Sequence, residues 1–102
     1  MRPVQHGDVT AAACVLLALP AEARHSALWR MLAEAESADA FRRETGRLHP
    51  LWGNGSLRAA ALTRPRMAEP SLDRPDYARC MAMVFEALLA RAGEGKTYQP
   101  ID

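Results

Sequence analysis

The stretch Asp73–Gly93, DRPDYARCMAMVFEALLARAG, decides the fold. Its apolar residues Tyr77, Cys80, Met81, Val84, Phe85, Leu88 and Leu89 recur at three- and four-residue steps, the spacing of one face of an α-helix. Pro75 suits a first helical turn, where its missing N–H is not needed. Asp76 complements the positive end of the helix dipole there, and Gly93 ends the pattern. The spacing predicts a helix from about Asp73 to Gly93.

Upstream, Leu28, Met31, Leu32, Ala35, Ala38 and Phe41 form a second stripe of the same period, and Trp29 widens it. Glu22, Arg30, Glu34, Glu36 and Arg43 lie largely off that stripe. The expected helix runs from about Ala21 to Thr45, after Pro20, and ends at Gly46 in a left-handed cap. Asp8 is expected to cap an earlier helix reaching about Leu19, with Ala12, Val15, Leu16 and Leu19 on one face. Ser56 reads as the cap of a short helix, about Leu57 to Thr63. The segment from Arg64 to Asp73 holds Pro65 and Pro70 and is expected to be irregular, with Met67 and Leu72 the residues that would pack it if it packs at all.

These readings give an all-α, small single-domain bundle of about four helices, one of them short, with a Gly/Pro-rich central loop. Residues 1–93 form the domain and residues 94–102 a flexible tail. The second and fourth helices are expected to carry the core as near-antiparallel neighbours, with the first laid across them. No strand pattern and no internal repeat is present.

A chain of 102 residues fits one domain, and 49% apolar composition supplies a core without disulfides or metals. The net charge of +1 carries no polyelectrolyte signal. Charge is unevenly placed, however. Between Arg42 and Arg66, six arginines (Arg42, Arg43, Arg47, Arg58, Arg64 and Arg66) face Glu44 alone. That segment suits phosphate or carboxylate recognition. Cys14 and Cys80 lie in helical patterns without metal-ligand spacing, so they read as buried thiols in a reducing compartment. No metal site is expected and no cofactor motif is present. The apolar run Val15–Leu19 is too short to span a bilayer and lacks the flanks of a signal peptide. A cytoplasmic protein with no membrane association is the expectation.

The central loop, HPLWGNGSL at residues 49–57, concentrates the remaining interest. Gly53, Asn54, Gly55 and Ser56 are turn chemistry leading into a helix, and such a turn can present N–H groups to an anion. The pattern is not a P-loop. Trp52 is expected either to plug the core or to anchor a partner. Arg47, His49, Trp52 and Arg58 are the candidate partner-binding residues, and Gly53, Asn54, Gly55 and Ser56 the candidate anion-binding ones. Arg42, Arg43, Arg64 and Arg66 would be the contacts of an alternative nucleic-acid surface. His6, His25 and His49 have no triad or metal spacing, so no catalytic residue is assigned and no enzyme is expected.

The segments His6-Gly7-Asp8-Val9, His49–Leu57 and Pro75-Asp76-Tyr77 together resemble a family of short, uncharacterised alphaproteobacterial proteins of unknown function. The resemblance spans most of the chain. It implies a soluble bacterial protein and assigns no activity, ligand or partner. The expected function is therefore a non-catalytic protein–protein interaction or regulatory module using the central loop and its arginines. The alternative is nucleic-acid binding through residues 42–66. A homodimer is a further possibility, because the stripe on the last helix exceeds what its neighbours cover.

Overall fold

The computed structural model describes residues 1–93. Four helices follow in order: α1 (His6–Leu17), α2 (Ala21–Thr45), α3 (Leu57–Ala61) and α4 (Pro75–Gly93). No strand occurs among the described residues, and the all-α bundle with one short helix is as expected. The expected tail, residues 94–102, lies outside the described residues.

The central element is α1, which corrects the expected arrangement. Ala12, Ala13, Cys14, Val15 and Leu16 are five consecutive buried residues. A helix buried on every side is enclosed by its neighbours rather than laid across them. It packs most extensively on α4 and then on α3, whereas α2 and α4, expected to be the main pair, touch least of the helix pairs in contact. The core gathers Val9, Val15 and Leu16 of α1 with Leu28, Met31 and Leu32 of α2, Leu57 and Ala61 of α3, and Tyr77, Cys80 and Val84 of α4. Trp29 packs against this core, as its position beside the α2 stripe suggested.

Local signals set most helix ends. Gly46 closes α2 at φ 73°, and its N–H donates to the Arg42 carbonyl. Ser56 caps α3, its Oγ accepting from Ala59 N–H at 3.0 Å. The first helix starts earlier than expected, and its N-cap is Gln5 rather than Asp8. Asp8 sits one turn in, and its Oδ2 accepts the Gln5 N–H at 2.8 Å. That is the carboxylate half of a capping box. The same helix stops at Leu17 rather than Leu19, and Arg24 Nε donates to the Leu16 and Leu19 carbonyls at 2.8 and 3.1 Å. Arg24 thus satisfies carbonyls that a helix end leaves open.

The connection from Arg64 to Arg74 is irregular, as its prolines require. Met67 and Leu72 do not pack it down; they are 48% and 59% exposed. The segment is held instead by its backbone, with Met67 N–H donating to the Cys14 carbonyl at 3.0 Å.

Candidate functional site: the central loop and its flanks

Backbone geometry makes the central loop a defined object. His49 and Gly53 exchange both backbone hydrogen bonds, at 2.9 and 3.0 Å, and close a tight turn. Inside the turn, His49 Nδ1 accepts the N–H groups of Leu51 and Trp52 at 3.1 and 3.2 Å. Nδ1 therefore carries a lone pair in this arrangement, and the ring proton sits on Nε2. The His49 ring lies between two aromatics. Trp52 stacks on it with centroids 4.6 Å apart and planes 4° from parallel, and Phe41 of α2 meets it edge-on at 5.2 Å.

This arrangement answers the two readings of Trp52. It is half-buried, and it is not a core plug: it stacks on His49 outside the core cluster. Beside it, Leu48 and Leu51 are 63% and 68% exposed, and Arg47 is exposed as well. A braced turn thus carries two apolar side chains into solvent next to a cation.

The glycine-containing half of the loop is pinned to the domain. Asn54 Oδ1 accepts Ser56 N–H at 3.0 Å, and the Gly55 carbonyl accepts Arg2 N–H at 2.9 Å. Gly55 has φ +91°, and a Cβ placed on it would lie 2.6 Å from both Cα and Cβ of Asp39. The loop backbone therefore rests directly on the backbone of α2.

Of the four amides read as an anion cradle, those of Gly53 and Ser56 have partners within the loop. Gly53 N–H goes to His49, Ser56 N–H to Asn54, and Ala59 N–H to Ser56. Arg58 N–H donates to Oδ1 of Asp8 at 2.8 Å. The negative charge at the start of α3 is thus the buried Asp8 carboxylate, which caps α1 with one oxygen and α3 with the other. Sequence reasoning gave Asp8 a role only within α1, because nothing local links it to a residue fifty positions away.

The arginines separate into distinct environments. Arg64 grips Glu34 with two bonds of 2.6 and 2.8 Å and ties the end of α3 to α2. Arg42 pairs with Asp39 at 2.8 Å, and Arg43 reaches Asp39 and Glu36 at 3.5 and 3.9 Å. Those carboxylates are held below their usual range: Glu36 chiefly by the Met1 amine and then Arg91, and Asp39 chiefly by Arg42. Three of the four arginines of the nucleic-acid alternative are therefore internally paired. Arg66 remains exposed. It lines a cleft of about 500 Å³ with Arg58, Asp8, Cys14 and Glu69. Arg58 also lines a second cleft of about 310 Å³ with Arg2 and Asn54. The structure thus brings Arg47, His49 and Trp52 together on one turn, and places Arg58 in clefts beside Asp8.

The larger cleft mixes both signs of charge around a carboxylate whose oxygens are already engaged. Burial pushes the Cys14 thiol up, so it stays protonated near neutral pH. Burial also pushes the Tyr77 hydroxyl up to about 12. That hydroxyl is enclosed beside Cys14 without a hydrogen bond of acceptable geometry. No group of three or more His, Cys, Asp or Glu placed to hold a metal ion occurs among the described residues. No helix among them is long and apolar enough to cross a membrane.

Fold and loop together define a small all-α domain with an aromatic-braced surface turn. The chain belongs to the family described as a domain of unknown function, DUF7742, whose model matches residues 2–88. No curated protein and no solved structure matches the chain.

Proposed function

We propose that the protein is a non-catalytic interaction module, and that the turn at residues 47–52 is its docking surface for an acidic, apolar-bearing segment of a protein partner. The observation that carries this reading is the exposure of Leu48 and Leu51 on a turn made rigid by the Phe41–His49–Trp52 stack. A plain connector gains nothing from bracing apolar side chains in water. A binding surface gains pre-organisation, which reduces the ordering cost of association. Arg47 supplies the charge that selects an acidic partner, and Trp52 supplies the half-buried aromatic anchor. Arg58 belongs to the same reading as a flanking contact for a longer partner segment. The reading takes the protein to be bacterial, of alphaproteobacterial source, and cytoplasmic.

The test is affinity capture from the source cells at low salt, with and without nuclease, comparing the parent with Leu48→Glu/Leu51→Glu and with Trp52→Ala. The proposal expects a stoichiometric, nuclease-resistant protein that both variants lose while their circular dichroism and Tm stay near the parent's. Equal retention by the variants overturns it. Loss of all captured protein on nuclease treatment overturns it in favour of nucleic-acid binding through Arg58 and Arg66.

A further inference from the structure

The face of α4 that borders its core side is open. Ala78, Ala82, Phe85, Leu89 and Ala92 recur at steps of four, three, four and three, the 3.5-residue repeat of a two-helix seam. All five are exposed, with Phe85 at 49% and Leu89 at 73%. The buried side of the same helix is a different set: Tyr77, Cys80, Met81, Val84 and Ala87. The stripe is therefore not spare core. Nothing among the described residues covers it.

We propose that this face pairs with its own copy, antiparallel, across a two-fold axis. The pattern is self-complementary in that orientation. Aligning the two helices about a point between Met83 and Val84 puts Ala78 opposite the partner's Leu89 and Ala82 opposite the partner's Phe85. Each large side chain then meets a small one, which allows close helix approach and interdigitation. The same alignment sets Arg79 on the flank of the seam two residues, about 3 Å of rise, from the partner's Glu86, within reach of these long side chains, and symmetry makes that pair twice. Arg79 and Glu86 are both exposed on the outer border of the stripe, and neither is ion-paired among the described residues. A parallel pairing sets Phe85 against Phe85 and leaves both charges without a partner. Charge and size complementarity therefore select a second copy, and one orientation of it.

A 19-residue α4 spans about 28 Å, so the contact is a single helix pair and a modest interface. The dimer is accordingly concentration-dependent. It uses residues separate from the turn at residues 47–52.

Analytical ultracentrifugation of the full chain from micromolar to millimolar concentration tests this. The expected mass rises from 11.2 kDa toward twice that value. Phe85→Glu should hold the chain monomeric throughout. Arg79→Glu or Glu86→Arg alone should weaken the dimer about tenfold, since each turns two attractive pairs repulsive. The double swap Arg79→Glu/Glu86→Arg should restore parental affinity, and the two single variants mixed should form a heterodimer. A parent that stays monomeric at every concentration overturns the proposal. So does a dimer indifferent to the charge reversals. Parental Tm in the monomeric variants shows that the fold survives the substitutions.

Discussion

Replacing Gly55 by alanine tests the seat of the central loop on α2. The added Cβ would sit 2.6 Å from Cα and Cβ of Asp39 and 2.9 Å from its backbone nitrogen, and backbone atoms cannot swing aside. Reaching ordinary contact near 3.4 Å means parting loop and helix by about 0.8 Å. Overpacking of this kind costs about 1–3 kcal/mol. The φ of +91° adds about 1–2 kcal/mol for a residue with a Cβ. Together they amount to about 2–5 kcal/mol, which in a domain of this size lowers Tm by roughly 10 °C or more. Gly46→Ala is the internal control, because its φ is +73° but a Cβ there meets nothing within 4 Å. It should lose only the conformational part, about 1 kcal/mol. Gly7→Ala, also in open space but inside α1, should be neutral or stabilising by up to about 1 kcal/mol. Urea and thermal unfolding of the three variants measure these differences. A Gly55→Ala variant as stable as Gly46→Ala would refute the direct contact between the loop backbone and Asp39.

Asp8→Ala removes the carboxylate shared by α1 and α3 and should cost about 3 kcal/mol in urea unfolding, given two charge-assisted bonds with partial compensation by water. Asp8→Asn should cost less, and two neutral variants would exclude the shared cap. Tyr77→Phe deletes a buried hydroxyl without a partner and should leave stability unchanged or raised by up to about 1–2 kcal/mol, whereas a clear loss would reveal a bond that the geometry lacks. At alkaline pH the parent should weaken. The folded Tyr77 hydroxyl is raised to about 12, so its contribution is fully present below the unfolded value near 10 and is lost as pH climbs through 12. The buried thiols Cys14 and Cys80 shift the same way and bring the onset down toward pH 9, and Tyr77→Phe should remove the upper part of the decline. Glu34→Ala strands Arg64 in a half-buried site and should destabilise by about 1–3 kcal/mol, with Arg64→Ala/Glu34→Ala recovering part of it in a double-mutant cycle.

What the sequence determined by itself is what depends on neighbours along the chain. The bounds of α2, the left-handed Gly46, the Ser56 cap and the place of Pro75 in the first turn of α4 were legible because each is a contest between adjacent backbone groups and one side chain. The all-α class followed for the same reason, since the 3.6-residue period is written locally. Tertiary structure decided everything that joins distant residues. Ala13 and Val15 of α1 lie on opposite faces, and only the presence of α2, α3 and α4 around that helix buries both. Trp52 had two plausible places, and its stack on His49, itself braced by Phe41, puts it outside the core. Asp8 found Arg58, and Arg64 found Glu34, across separations of fifty and thirty residues. A sequence fixes the type and reach of a carboxylate or guanidinium. It does not fix which partner will be within 3 Å, because that depends on how whole helices settle against one another to bury apolar surface.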